Sequence, residues 1–260
     1  MTAPFLESEY PRVFAHRGLA IDAPENTLLA FKRAIQAGAT HLETDVHASR
    51  DGVAVISHDP DLRRLVGRDA RVGDLTLDEL HSIDLGHAQS FCSLAEALGA
   101  FPAARFNIDV KDDAAIGPTA AAVAAAAATD RVLITSFSEH RRSGTVQLLP
   151  GVASSASSLV VVRAVLAAKL GWRAELRQAL NGLVALQIPE RRFGLPLVTR
   201  RVVDAVHRAG AEVHVWTVND PAAMERLFSL GVDGIVTDRS DLAVAVARAD
   251  PRHRSSPATP

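Results

Sequence analysis

One cysteine, Cys92, is all the thiol this 260-residue chain contains. A lone cysteine cannot close an intramolecular disulfide, and no Cys/His pair has zinc-finger spacing. A disulfide scaffold and a structural zinc site are thereby excluded, and a reducing compartment fits. Excess charge is also missing: 28 Lys plus Arg stand against 30 Asp plus Glu, a formal −2. That balance leaves no global basic field for nucleic acid or an anionic membrane, so a charged ligand has to be met by a local site and the expected partner is small. Long apolar runs are absent too. The alanine-rich stretch 120–128 and the run from Leu159 to Leu170, broken by Arg163 and Lys169, fall short of the ~20 residues that span a bilayer, so no integral membrane segment is expected. The start, Met1 to Arg12, carries Glu7 and Glu9 and no apolar run behind a basic head. It does not read as a secretory signal, and the expected location is the cytoplasm.

What is present is 48% hydrophobic residues arranged in a rhythm. Short runs rich in Val, Ile and Leu alternate with segments of helical period, the βαβ pattern. Strands are expected near Val13–His16, Leu42–Val46, Phe106–Lys111, Val132–Phe137, Val152–Ser157, Leu183–Ile188, Val213–Val218 and Gly234–Thr237. The first helix shows the signals well: Asn26 or Thr27 can cap it, Leu28, Phe31 and Ile35 fall on one face, and Gly38 ends it. Asp220 and Pro221 open a later one in the same way. About eight βα units in about 250 residues point to a closed (β/α)₈ TIM barrel. A doubly wound open sheet is the alternative, but no Gly-rich dinucleotide fingerprint follows the first strand. The expected organisation is one barrel over 1–249 and a disordered tail over 250–260, where three prolines occur without apolar periodicity.

One stretch, about 50–92, breaks the rhythm after the second strand. Asp51-Gly52 between alternating runs is a hairpin signal. A two-residue turn there sets Ala48 opposite Val55, Val46 opposite Ser57, and Asp45 opposite His58. The remainder, Leu62 to Gln89, reads as a small polar lobe over the barrel mouth, with one helical segment at Leu75–Ile83.

Active sites on such barrels collect at the carboxyl ends of the strands, and the polar residues of this chain do the same. His16-Arg17-Gly18 end the first strand, Glu43 and Asp45 sit on the second, the hairpin returns His58, and Asp109 and Lys111 lie on the third. Residues two apart on a strand share a face. Inward carboxylates are costly unless paired or metal-bound. Glu43, Asp45 and Asp109 make a hard oxygen site for one Mg²⁺ or Ca²⁺; the alternative is that they pair with Arg17 and Lys111 in a salt-bridge network. A divalent ion beside those two cations suits phosphoryl chemistry. Phosphodiester cleavage needs one proton removed and one delivered, and His16 and His58 can take one role each.

These residues belong to a longer ordered set. His16-Arg17-Gly18, Pro24-Glu25-Asn26-Thr27, Glu43-x-Asp45-Val46, Asp51-Gly52, His58-Asp59, Asn107-Ile108-Asp109-Val110-Lys111, Trp216-Thr217-Val218-Asn219 and Gly231 through Asp238 together resemble the glycerophosphodiester phosphodiesterase family across nearly the whole chain. The resemblance implies a TIM barrel that hydrolyses glycerophosphodiesters to sn-glycerol 3-phosphate and an alcohol with a divalent cation, through a cyclic phosphate. It implies His16 and His58 as the acid/base pair, Glu43, Asp45 and Asp109 as metal ligands, and Arg17 and Lys111 as phosphate contacts. By the same resemblance Trp216 bounds the substrate pocket. The family's third-strand motif usually carries Glu where this chain has Asp109; the related barrel phospholipases D resemble this chain in having Asp there.

Several residues have plainer readings. His214 reads as a buried structural histidine and His47 as a solvated one near the hairpin. Asp238 either lines the mouth or caps the last helix, Asp59 either orients His58 or caps a turn, and Glu25 and Asn26 either brace the first loop or cap a helix. Two other functions compete with the leading one. A lysophospholipase D acting on amphiphiles would need an apolar rim around the mouth, and a barrel that only binds phosphate esters would not need both histidines.

Overall fold

The computed structural model describes residues 3–8 and 10–253. Its chain runs β1 (Arg12–His16), α1 (Leu28–Ala37), β2 (His41–Ala48), β3 (Ala54–Ile56), α2 (Arg63–Val66), α3 (Leu77–His81), α4 (Leu94–Ala100), β4 (Arg105–Val110), α5 (Ile116–Ala125), β5 (Val132–Thr135) and α6 (Glu139–Gln147). It continues through β6 (Ala153–Ser154), α7 (Ser158–Leu170), α8 (Arg173–Ala179), β7 (Ala185–Pro189), β8 (Arg191–Arg192), β9 (Leu195–Pro196), α9 (Arg200–Arg208), β10 (Glu212–Trp216), α10 (Pro221–Ser229), β11 (Gly234–Thr237) and α11 (Ser240–Ala249). Parallel strands follow the order β6-β5-β4-β2-β1-β11-β10-β7. A parallel bridge from Ser155 to Ala185 joins the two ends, so the expected eight-stranded barrel closes. Among the described residues no helix is long and apolar enough to cross a membrane.

Local chemistry sets the element ends. Thr27 caps α1 by accepting from the Ala30 N–H, and Gly38 ends it in the left-handed conformation. Ala34 and Phe31 form the buried face of α1, whereas Ile35 is partly exposed; the apolar stripe is narrower than the sequence pattern implied. Asp220 caps α10 with Pro221 at its first position, as expected. Outward-facing strand residues such as Ala15, Leu42, Val46 and Ile108 pack against the helices. Inward-facing Phe14, Leu133 and Val236 fill the barrel bottom with Phe5 and Leu6 from the N-terminal segment, each fully buried Phe contributing ~1.5–3 kcal/mol relative to exposure. At Gly234 an added Cβ would lie 2.7 Å from the Phe14 ring, so this layer requires glycine there.

The insertion carries its own apolar cluster of Val55, Leu62, Val72, Leu75, Leu80 and Phe91, with two short helices, α2 and α3, where the sequence suggested one. Its hairpin differs from expectation by one residue. Val46 pairs with Ile56 and Ala48 with Ala54, so Asp45 faces Ser57, whose N–H donates to the Asp45 carbonyl at 3.0 Å. The cause is a three-residue connection. Ser49 and Val53 close it through Ser49 N–H to Val53 O at 2.9 Å and Val53 N–H to Ser49 Oγ at 2.9 Å. Gly52 at φ +76° makes the left-handed step that such a connection requires. Two further features were not read from the sequence: the short β8–β9 hairpin after β7, and α8. Of the stretch read as a tail, Arg252 donates to the Tyr10 hydroxyl at 3.2 Å and the Val232 carbonyl at 3.3 Å; residues 254–260 lie outside the described residues.

Candidate active site

Parallel register stacks the polar side chains in layers. His16 aligns with Glu43, Glu43 with Asn107 and Asp45 with Asp109. Since alternate residues face inward, the strands deliver them to one mouth. A cavity of about 250 Å³ there is lined by His16, Arg17, Glu43, Asp45, His58, Asp109, Lys111 and Trp216. Every site residue expected from the sequence therefore meets at one place. Arg17 adopts φ +58°, and its N–H donates to the Glu43 carbonyl at 3.0 Å and to Glu43 Oε2 at 3.1 Å. The neighbouring Gly18, at φ +84°, has the Ala30 carbonyl carbon only 2.6 Å from where a Cβ would stand. This close approach of the loop to α1 explains why His-Arg is followed by glycine.

Each candidate proton-transfer histidine is oriented by a carboxylate. His16 Nδ1 lies 2.7 Å from Asp238 Oδ1, and His58 Nδ1 lies 2.7 Å from Asp59 Oδ1. An ionised carboxylate only accepts, so each Nδ1 carries the proton and each Nε2 is the ring nitrogen left for substrate. Burial opposes the charged form of His16, but the Asp238 hydrogen bond and the Glu43 charge outweigh it and raise its pKa. The His16 hydrogen bond in turn holds Asp238 below the usual carboxylate range. Asn219 completes this chain, donating from Nδ2 to Asp238 Oδ2 at 2.7 Å. Asp238 does not cap α11, whose preceding residue Arg239 makes no side-chain cap bond.

The carboxylates and cations form a second layer of interactions. Lys111 Nζ sits 2.8 Å from Asp45 Oδ1 and 2.7 Å from Asp109 Oδ2, and Arg17 Nε is 3.3 Å from Asp45 Oδ2. Burial disfavours the Asp45 carboxylate, yet Lys111 and Arg17 overcome it and lower its pKa. Burial likewise opposes the Lys111 ammonium, but Asp45 and Asp109 raise its pKa. For Asp109, burial prevails over Lys111 and, helped by the Asp45 charge, raises the pKa. Glu43 is raised to about 8, by burial and then by the charges of Asp45 and Asp109. The salt-bridge network expected as the alternative to a metal site is thus present.

The same site retains cation-binding character. Among the described residues Asp109 Oδ1 is buried without a hydrogen-bond partner, and three buried carboxylates crowd one mouth, a donor set of hard oxygens suited to Mg²⁺ or Ca²⁺. Among the described residues no three His, Cys, Asp or Glu side chains stand grouped as a metal cage; Lys111 bridges two of the carboxylates instead. The donors fit a divalent ion by chemistry, with the ammonium as competitor.

Supporting residues clarify the weaker sequence readings. Asn26 donates to Asp45 Oδ2 at 3.2 Å and accepts from Thr44 Oγ1 at 2.8 Å, bracing the carboxylate. Glu25 joins Arg17 at 3.0 Å to Arg64 at 2.6 Å, and Arg64 also meets Asp59, so the insertion is tied to both ends of the site. His47 is buried rather than solvated: it bridges Asp112 Oδ2 at 2.8 Å and the His58 carbonyl at 3.2 Å. His214 is fully buried, 3.0 Å from Glu212. Phe137, Val161, Gln187 and Arg192 line the cavity and were not singled out from the sequence. Phe137 packs edge-on to Trp216 with ring centroids 5.8 Å apart. The doubled arginine after the β7 strand end was the signal available for Arg192.

Comparison with known proteins gives concordant matches. The model of the glycerophosphoryl diester phosphodiesterase family matches residues 16–242. A probable glycerophosphodiester phosphodiesterase 2 of Mycobacterium tuberculosis is 40% identical over 253 residues, 96% of each chain. The crystal structure of a glycerophosphodiester phosphodiesterase from Agrobacterium tumefaciens superposes with TM-score 0.74 at 26% identity, covering 92% of this chain and 99% of that one. A phosphodiesterase of Oleispira antarctica, solved with the product sn-glycerol-3-phosphate, superposes with TM-score 0.75 at 25% identity over 91% of this chain and 96% of its own.

Proposed function

Since the chain belongs to the glycerophosphoryl diester phosphodiesterase family, we propose that its barrel mouth cleaves glycerophosphodiesters to sn-glycerol 3-phosphate and an alcohol by proton transfer between two histidines. The observation that carries this reading is the pair of imidazoles on one cavity, each with Nδ1 held by its own carboxylate at 2.7 Å. One neutral ring accepts the proton of the attacking hydroxyl at Nε2, while the other, protonated, gives its Nε2 proton to the leaving alkoxide. After the adjacent glycerol hydroxyl has attacked to form a cyclic phosphate, the two rings stand in the protonation states needed to exchange roles as water opens it. Arg17 and Lys111 offset the phosphate charge. Glu43, Asp45 and Asp109 would hold a divalent ion, which would supply polarisation of a phosphoryl oxygen. Trp216 and Phe137 bound the substrate pocket.

The test is hydrolysis of glycerophosphocholine with Mg²⁺ or Ca²⁺ added, or with excess chelator. His16→Ala and His58→Ala each lower turnover by roughly 10² to 10⁴; near-normal turnover of either overturns its role, and activity that survives thorough chelation overturns the metal assignment. A second reading, cleavage of lysophospholipids, is favoured by the apolar wall of Phe137, Val161 and Trp216 inside the cavity. Turnover of lysophosphatidylcholine in preference to glycerophosphocholine selects it.

A further inference from the structure

Charge is distributed unevenly around the barrel. Residues 158–208 carry nine Lys or Arg against three Asp or Glu, a net +6 in a chain whose total is −2. They form one contiguous quadrant built of α7, α8, β7, the β8–β9 hairpin and α9, with α7 packed on both α8 and α9. The same quadrant holds seven of the eleven large hydrophobic residues exposed among the described residues. Leu159, Val162, Leu166 and Leu170 follow i, i+3, i+7, i+11 along α7, which puts them on one exposed stripe, with Leu159 at 77% exposure. Trp172 continues it, and Phe193 stands 91% exposed at the hairpin tip. The hairpin is fastened to the helix by Lys169 Nζ, which donates to the Pro196 carbonyl at 2.8 Å.

The basic groups are free to act. Arg173, Arg177, Arg201 and Arg208 line a cleft of about 450 Å³ beside Gly171, and all four are exposed. Their guanidinium groups make no hydrogen bond or ion pair among the described residues, unlike Arg163, which is paired with Glu175. Unpaired arginines flanking an aliphatic stripe and an exposed Trp and Phe combine the two attractions that hold a protein to a charged lipid interface.

We propose that this quadrant is a docking face for the surface of an anionic phospholipid bilayer. Charge selects that occupant over a second copy of the chain: a two-fold contact would press one +6 face against another. The aliphatic stripe selects it over nucleic acid, which takes arginines but has no use for Leu159, Val162, Leu166 and Leu170. The face also reaches the mouth, because Val161 of α7 and Arg192 of the hairpin line the catalytic cavity. Docking therefore sets the mouth at the edge of the interface. Binding is measured without turnover, so the proposal stands or falls apart from the chemistry assigned to the cavity.

The experiment is co-sedimentation of the full chain with vesicles of phosphatidylcholine alone or with about one third phosphatidylglycerol, from roughly 0.05 to 0.5 M salt. The expected result is retention on the anionic vesicles, weakening as salt rises, and little on phosphatidylcholine. Arg173→Glu with Arg177→Glu weakens that retention by roughly tenfold or more, since each reversal replaces an attraction by a repulsion. Val162→Ser with Leu166→Ser weakens it at high salt also, where the apolar part is unscreened. All four positions are exposed, and unchanged thermal midpoints establish that the variants fold. Equal retention on both vesicle types, or a double glutamate variant that binds like the parent, overturns the proposal. So does a concentration-dependent dimer in sedimentation velocity that Val162→Ser with Leu166→Ser abolishes while vesicles retain nothing.

Discussion

Asp238→Asn alters one atom in the chain Asn219, Asp238, His16, and its consequence depends on which end of the new amide can face which neighbour. Asn219 is locked. Its Oδ1 accepts from Thr237 Oγ1 and from the Asp238 N–H, both at 2.9 Å, so its Nδ2 must point at residue 238, where it now donates at 2.7 Å. An amide at 238 has to offer its oxygen to that donor, and its NH₂ therefore faces His16 Nδ1. A donor there forces the ring into the tautomer protonated at Nε2 and removes the lone pair that would take a substrate proton. The same change removes the charge that supports the imidazolium. A hydrogen bond to a charged partner is worth about 1.5–3 kcal/mol; with the Asp238 side chain 50% exposed, solvent screening reduces this to roughly 1–1.5 kcal/mol. The raised His16 pKa falls accordingly, so the limb of the pH–rate profile governed by His16 moves to lower pH. Turnover of glycerophosphocholine falls by roughly 10² to 10⁴ from the wrong tautomer. Adding Asn219→Ala lets the amide flip, and the double variant recovers part of the loss, a coupling that a merely structural defect would not show. Turnover within about threefold of the parent with an unshifted profile, or no recovery in the double variant, refutes the reasoning.

Three further outcomes are expected. Lys111→Met frees Asp45 Oδ1 and Asp109 Oδ2, so isothermal titration with Mg²⁺ or Ca²⁺ shows tighter binding while turnover drops; unchanged affinity would mean that the ammonium does not compete with the ion. Gly18→Ala places a Cβ against the Ala30 backbone at φ +84° and lowers the unfolding free energy by about 2 kcal/mol or more in urea titration; a change under about 0.5 kcal/mol contradicts the close approach. His41 is fully buried, and burial holds its pKa well below 6.5, so the unfolded chain binds the extra proton: stability is full above pH 6.5 and declines as pH falls below it. His41→Gln flattens that decline in urea midpoints measured between about pH 7 and 5.5, and an unaltered slope assigns it to other groups.

Strand identity and the inward face were legible because period two is written in the chain: Glu43 and Asp45, or Asp109 and Lys111, could only point the same way once their strands existed. The hairpin register was not. Asp51-Gly52 signals a turn but does not say whether two or three residues span it, and the answer lies in the Ser49 hydroxyl accepting from the Val53 N–H, a local bond that competes with the shorter turn. His58 reaches the cavity regardless, because the strand end and not the exact pairing carries it there. His47 was misjudged for a related reason. Its closeness to the hairpin in sequence suggested solvent, whereas Asp112, from the loop beyond β4, closes over it. Partnerships such as Asp238 with His16 cross the whole length of the chain, and only the closure of β1 onto β11 brings them together.

Near-neutral composition concealed two opposite concentrations of charge. At the mouth, the carboxyl groups of Glu43, Asp45 and Asp109 are held in low dielectric, and the two cations beside them leave Asp109 Oδ1 unpartnered among the described residues and Glu43 raised to about 8, so that it keeps its proton near neutral pH. That arrangement is poorly compensated by Arg17 and Lys111 alone, which is why it would suit a cation and a phosphate together better than either alone: Glu43, Asp45 and Asp109 would hold the ion, and Arg17 and Lys111 would meet the phosphate. On the flank the imbalance has the other sign, and there the arginines are exposed and cost little to leave unpaired. Buried imbalance demands a ligand for stability; exposed imbalance only invites one. If Glu43, Asp45 and Asp109 hold a divalent ion, adding chelator lowers the protein's melting midpoint as well as its turnover.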